Sequence, residues 1–359
     1  MASYEQNENR EWSVRFRYAK FGQLHQKRLS GFKTKRDAEK AYSDFLLSVN
    51  TNDTSTLTNI TFLQLYNNYF EYMKPRVKIS TQYDIRHNFE NHLLPYFEKM
   101  KIYNITKKDI FAWQQEYDKK KLSYSFKSKL RDYLNAIFRF AVYYYDLPVN
   151  PVTQVEPFRH IEQKKEMTIW SKQDFEKFIA KVDNFEYKTF FLFLYLTGCR
   201  KGEAFALTWN KIDFDKQTVT INQNLTRKVD DMVFAVVPTK TYNTRSILIP
   251  KILISYLIEL QSKQENYKDC NYVFGGNYPL ADNTITRAFY SAIKKADVKQ
   301  IHLHSLRHSH ASYLISQGES IVMVSKRLGH STVQQTLNTY SHLMPNEEAK
   351  MVKKLELDI

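Results

Sequence analysis

The sequence predicts a multidomain chain, mainly α with small β-sheets. Three observations carry that expectation. Alternating apolar and polar residues are confined to a few short stretches, while helical periodicity fills the middle and the C-terminal part. Two stretches rich in polar residues or proline cut the chain into three parts. The 359 residues exceed one ordinary domain and suffice for two or three.

The first part opens with Glu11–Tyr18, an alternating strand pattern. Phe21-Gly22-Gln23 supplies a turn and Gln26–Phe32 a returning strand. Thr34 is placed to cap a helix that runs on to Leu47. Arg15, Arg17, Lys20, Lys27 and Arg28 lie along the strands of this small β-sheet-plus-helix module. Asn50–Asn59, rich in Thr and Asn, is expected to be a linker.

The second part, residues 60–150, is helical in pattern. Phe62, Leu65, Tyr66, Tyr69, Phe70 and Met73 recur at helical spacing, as do Leu130, Leu134, Ile137, Phe138 and Ala141. Basic residues thread between them, among them Lys74, Arg76, Lys78, Arg86 and Arg131. Pro148 and Pro151 end the pattern, because proline cannot sit in a helix interior, and residues 151–167 are expected to form a second linker.

The third part, residues 168–345, begins with Ser171 as a helix cap, then a buried helix through Leu196. Strand patterns follow at Thr218–Ile221, Phe234–Val237 and Ser246–Ile249, and the rest is helical. The tail, residues 346–359, carries Met351, Val352, Leu355 and Leu357 amid charged residues.

Lys and Arg number 53 against 38 Asp and Glu, a net charge of +15, which favours polyanionic partners. Two cysteines cannot build a disulfide framework and fit a reducing, intracellular setting. The polar Met1–Arg10 stretch does not read as a signal peptide. The most apolar run, Phe190–Thr197, is far short of the roughly 20 residues a membrane span needs, so no membrane partner is expected.

Four short stretches carry candidate chemistry. In Leu196-Thr197-Gly198-Cys199-Arg200-Lys201-Gly202-Glu203, an apolar helix breaks at Gly198 and a new one begins near Gly202. Arg200 at that junction can offer its planar fork to a phosphate, with Glu203 near enough to orient it. Pro238–Arg245 is expected to be a hairpin tip from which Lys240 could reach a site. In His304-Ser305-Leu306-Arg307-His308, His304 and Arg307 share a helix face, one able to move a proton near neutral pH, the other to pair with phosphate oxygen. Leu328-Gly329-His330-Ser331 is followed by Asn338-Thr339-Tyr340-Ser341-His342. Taken singly, each stretch has an ordinary reading as salt bridge, solvated lysine or filler tyrosine. A metal reading of His302, His304, His308 and His310 lacks an acidic or cysteine partner at ligand spacing. Taken together, two arginines, a lysine, two histidines and a late tyrosine are what metal-free phosphoryl transfer requires.

In these motifs the chain from Thr168 to Leu343 resembles the catalytic domain of the tyrosine recombinase (phage integrase) family. The resemblance implies that Arg200 and Arg307 clamp the scissile phosphate, with Glu203 supporting Arg200. Lys240 would be the general acid, His304 would assist proton transfer, His330 would hydrogen-bond the phosphate and Tyr340 would be the nucleophile; His308 is read as structural. Residues 8–48 are similar to the family's arm-type DNA-binding module, a three-stranded sheet on a helix, so residues 1–55 are assigned to it. Residues 60–150 resemble the helical core-binding domain by position. Candidate DNA contacts are Arg15, Arg17, Lys27, Arg28, Arg76, Lys78 and Arg131.

The implied activity is site-specific recombination through a 3′-phosphotyrosyl intermediate and a Holliday junction, with no cofactor and no metal. It would integrate and excise a phage or conjugative transposon. The implied partners are double-stranded DNA attachment sites of core and arm type and a homotetramer on DNA whose tails dock on neighbouring protomers. An excisionase and a host DNA-bending factor would complete the set, in the cytoplasm of a bacterial host, associated with the nucleoid. A type IB topoisomerase would share the chemistry, but the arm-like module and compact size argue against it. A non-catalytic DNA-binding regulator would not need the intact constellation. A basic membrane-surface protein would need an amphipathic basic helix with an exposed apolar face, and none is clear.

Overall fold

The computed structural model describes residues 3–6, 11–20, 23–45, 60–159, 168–229, 234–239, 244–265 and 267–341. The Asn50–Asn59 stretch, Lys240, the side chain of Arg17 and the tail lie outside them. The chain divides into two compact units, Met1–Lys164 and Lys165–Ile359, the boundary falling inside the expected second linker. No described helix is long and apolar enough to cross a membrane.

In the first unit, β1 (Ser3–Gln6), β2 (Trp12–Lys20) and β3 (Gln23–Phe32) form an antiparallel sheet in that order. Helix α1 (35–45) follows; Thr34 caps it as expected, its hydroxyl accepting from the Asp37 amide at 3.2 Å. Val14, Phe16 and Ala38 form a small core with Tyr42 and Phe45 packed against it. The strand period sends Arg15 to the opposite face from Phe16. Arg28 pairs across from Arg15 and so shares its open face, held by the Ser13 hydroxyl and by Glu5. Lys27, by contrast, pairs across from Phe16, and its ammonium lies 4.1 Å from the Phe45 ring. The sequence grouped it with the arginines; the register places it on the helix side.

The same unit holds a second core of helices α2 (Phe62–Met73), α3 (Ile79–Asn88), α4 (Leu94–Phe97), α5 (Lys107–Lys119) and α6 (Tyr124–Tyr144). Phe62, Leu65, Tyr66, Tyr69 and Phe70 of α2 face Leu130, Leu134, Ile137, Phe138 and Ala141 of α6 inside it, as their spacing required. Between α3 and α4 the backbone widens into a π-turn, Phe89–Leu93, just ahead of Pro95, which has no amide donor to continue an α-helical ladder. Residues 151–159, expected as linker, instead fold back: Val152 and Phe158 are buried in this core. Arg131 fixes them there, donating to the carbonyls of Val152 at 3.0 Å and Val155 at 2.7 Å. Its guanidinium thus takes part in the packing of the domain, beside the DNA contact expected of it. Arg76 lies exposed on the Tyr72 ring at 3.8 Å, and Lys78 caps α3 without a side-chain bond to it.

In the second unit, Ser171 caps α7 (Lys172–Ala180), its hydroxyl accepting from the Asp174 amide and Asp174 returning the bond. Helix α8 (Phe185–Thr197) is apolar on all sides and runs through the main core, packed on α10 (Lys251–Ser262) and α12 (Ser305–Ser316). Between α8 and α10 come α9 (Lys201–Phe205) and the strands β4 (Ile212–Asp213), β5 (Thr218–Ile221), β6 (Gln223–Thr226), β7 (Ala235–Pro238) and β8 (Arg245–Leu248). Their pairing corrects the expected hairpin at 238–245. β7 pairs with β6, and β8 pairs with β5, so the segment carrying Lys240 joins two sheets. Helices α11 (Asp282–Ala296), α13 (Ile321–Leu328) and α14 (Val333–Tyr340) complete the unit. α12, α13 and α14 enclose a separate small core of Ala311, Ile315, Ile321, Val324, Leu328 and Tyr340.

Candidate active site

The site grows from two left-handed helix ends, Gly198 and Gly329, and the N-terminus of α12. α8 ends at Gly198 with φ +67, and Arg200 follows as the residue that opens α9. The Glu203 carboxylate, one turn on, accepts from the Arg200 backbone amide at 2.8 Å and from its guanidinium at 3.0 Å. The expected support of Arg200 by Glu203 is thus present as geometry.

A group that the sequence did not single out holds the other side of Glu203. Arg245, at the start of β8, binds both carboxylate oxygens, at 3.1 and 2.6 Å, in a fork-to-fork pair. Glu203 is almost wholly buried, with 2% of its surface exposed. Burial would raise its carboxyl, but the hydrogen bonds and charge of Arg245, then Arg200, hold it below its ordinary value. A strand-start arginine between polar residues gave no signal in the sequence beyond its charge.

Backbone carbonyls tie the three motifs together. Arg307 donates to the Gly198 carbonyl at 2.8 Å, and Arg200 donates to the Gly329 carbonyl at 3.3 Å. Arg245 donates to the Arg327 carbonyl at 3.0 Å, and Arg327 reaches His310 Nε2 at 3.2 Å and the Leu196 carbonyl at 2.9 Å. His310 is therefore committed to a buried structural bond.

The site is an unneutralised cationic pocket. Arg200, Arg245 and Arg307 surround one carboxylate, Glu203. Arg307 is 4% exposed, and its Nη2 has no hydrogen-bond partner among the described residues. Burial, then the charge of Arg200, pulls it down to about 10, so it stays charged at neutral pH. A buried donor of this kind fits an anion that supplies the missing acceptor.

The histidines sit against these cations. His304, at the N-terminus of α12, keeps a solvent-facing side; the protein behind it, then His308, Arg307 and Arg200, lower it to about 4. His330 follows the helix end at Gly329; burial, then Arg307 and Arg200, lower it to about 4, and its Nδ1 lies 2.7 Å from the Thr336 hydroxyl. That contact fixes the ring and leaves Nε2 for a ligand. Tyr340, the last residue of α14, is buried, and burial raises its phenol to about 12, with Arg307 pulling the other way. Its hydroxyl lies 2.6 Å from Nδ1 of His308, the residue that the sequence left as structural. Arg200, Glu203, His304, Arg307, His330 and Tyr340 thus meet in one place.

The chain is similar to known proteins over most of its length. The phage integrase family model matches residues 170–347, the N-terminal SAM-like domain of phage integrases matches 61–117, and an arm DNA-binding domain matches 2–49. The ICEBs1 integrase of Bacillus subtilis (strain 168) is 32% identical over 277 residues, 74% of each chain. The Tn1549 transposon integrase, solved with a circular intermediate DNA, superposes with a TM-score of 0.68 at 20% identity, over 83% of this chain and all of that one. A lambda integrase tetramer bound to a Holliday junction gives 0.60 at 16% identity, over 92% of this chain and 96% of that one. The chain belongs to the phage integrase family, and is a tyrosine-type site-specific recombinase.

Proposed function

We propose that the chain integrates and excises a mobile element by cleaving and rejoining DNA through a 3′-phosphotyrosyl bond to Tyr340. The observation that carries this reading is the unpartnered Arg307 Nη2 in a pocket that also holds Arg200, with the Tyr340 hydroxyl on the same side of α12. Arg200 and Arg307 neutralise the phosphate as it becomes pentavalent, and Glu203 with Arg245 keeps Arg200 in place. His330 donates to a non-bridging oxygen. Lys240 acts as general acid on the leaving 5′ oxygen, with His304 assisting. The bond energy stays in the phosphotyrosine, so the cycle calls for neither ATP nor metal.

Residues 1–55 are assigned to arm-type sites, through the open sheet face of Arg15 and Arg28, and residues 60–150 with the catalytic part, residues 168–345, to core sites. Four protomers exchange strands through a Holliday junction, each tail, residues 346–359, docking on the next protomer. An excisionase and a host DNA-bending factor set direction, in the cytoplasm at the nucleoid. Lambda integrase in tetrameric form on a Holliday junction supports the assembly by its shared fold.

The test is covalent trapping on a nicked duplex spanning the boundary of the element. Tyr340→Phe should abolish the SDS-resistant adduct while leaving DNA affinity nearly unchanged. An adduct formed by that variant would show that another residue attacks.

A further inference from the structure

We infer that His308 is the general base of the reaction, accepting the Tyr340 proton on Nδ1 as the phenolic oxygen attacks phosphorus. The inference rests on the assignment of Tyr340 as nucleophile and adds a residue to it. His308 Nδ1 stands 2.6 Å from the Tyr340 oxygen, within direct proton-transfer reach, and among the described residues it is the hydrogen-bond partner of that hydroxyl. The two side chains come from different helices, α12 and α14, and their rings are 5.9 Å apart, so the contact is built by the fold. A buried neutral phenol must donate to an acceptor. A neutral imidazole with its proton on Nε2 offers that acceptor at Nδ1. Burial, then the charge of Arg307 beside it on α12, lowers His308 and favours the neutral ring; the His304 ring crosses it at 5.2 Å. Arg307 also stabilises the developing phenolate.

The step balances. The Tyr340 O–H bond breaks, the proton passes to His308 Nδ1, the Tyr340 oxygen bonds to phosphorus, and the phosphorus–O5′ bond breaks with its proton supplied from the opposite side. On religation the 5′ hydroxyl attacks and the His308 imidazolium returns its proton to the departing phenolate. This places base and acid on opposite faces of the phosphate. His304 and Lys240 serve the leaving oxygen; His308 serves the nucleophile.

The experiment measures adduct formation on the nicked duplex spanning the element boundary, with either an ordinary or a sulfur-substituted 5′ leaving position. His308→Asn, which can still accept a hydrogen bond but cannot take the proton, should slow adduct formation about 100-fold. His308→Ala should do the same, with binding to the duplex within about two-fold of the parent. Sulfur at the 5′ position, which needs no acid, should leave that deficit in place. Adduct rates near the parent's, or recovery with the sulfur substrate, would overturn the inference. Should the variants not fold, 15N spectra of the unsubstituted chain decide: His308 should show a bare Nδ1 and a protonated Nε2, and a proton on Nδ1 at neutral pH would overturn the inference. An adduct from Tyr340→Phe sinks the nucleophile assignment itself, whereas an inert Tyr340→Phe beside a fully active His308→Asn sinks the base alone.

Discussion

At the scale of single residues, the site is governed by how many cations share one carboxylate. Glu203 is sandwiched between Arg200 and Arg245, while Arg307 keeps a bare donor. The neighbouring histidines stay neutral because protonation would add charge to an already cationic, sheltered place. This has a consequence for stability. His310 is 6% exposed and is lowered to about 3 by burial, then by Arg327; His330 is lowered to about 4. Unfolded histidines take up protons near pH 6.5, so below that value the unfolded chain binds more protons than the folded one. The contribution of these groups is full above about pH 6.5 and is lost as the pH falls toward their folded values. Melting temperature should therefore drop steeply from pH 6.5 down to 4.5, and His310→Gln should flatten part of that slope. A melting temperature independent of pH in this window would contradict the assignment. His304, which faces solvent, adds less.

At the scale of elements, helix ends place the chemistry. α8 stops at Gly198 in a left-handed conformation, and only that reversal lets Arg200 open α9 beside the Gly329 carbonyl. A Cβ on Gly198 would lie 2.4 Å from the His310 ring and 2.9 Å from Leu328. Gly198→Ala should thus cost the left-handed strain and overpacking together, at least about 2 kcal/mol. Gly276, at φ +74 with nothing within 4 Å, supplies the control: alanine there should cost about 1 kcal/mol. Urea midpoints at unchanged slope would measure both. In this unit the sequence marked α7 by its cap at Ser171 and α8 by its continuous apolar run, which ends at a glycine. It missed β6 and the partner exchange of β7 and β8, because four-residue strands carry too little alternation to declare their neighbours. For the same reason Lys27 was read with the arginines, although the register turns it to α1.

At the scale of the whole molecule, separate cores argue for separable tasks. Residues of β2 and α1 pack on one another, and α2–α6 enclose a core of their own. Removing residues 1–55 should leave cleavage at core sites intact while ending productive integration; unchanged integration by the truncated chain would refute the arm-binding assignment. Tyr340 lies at the end of α14, six residues before the start of the tail, and belongs to the small core rather than the main one. Deleting residues 346–359 should weaken tetramer formation on DNA, seen as loss of the slow-migrating complex, with binding to a single core site close to the parent's. The sequence by itself determined the helical character, the caps at Thr34 and Ser171, and the candidate set Arg200, Glu203, His304, Arg307, His330 and Tyr340 that the fold brings together, while its three parts fall into two compact units. Those features are written in local spacing and in short runs of unusual chemistry. Only the tertiary structure decided that Arg245 completes the Glu203 clamp, that Arg131 is enclosed by residues 151–155, and that His308 meets Tyr340. Each of these is a contact between elements distant in sequence, where the partner is chosen by packing and register and leaves no trace in the pattern of either segment alone.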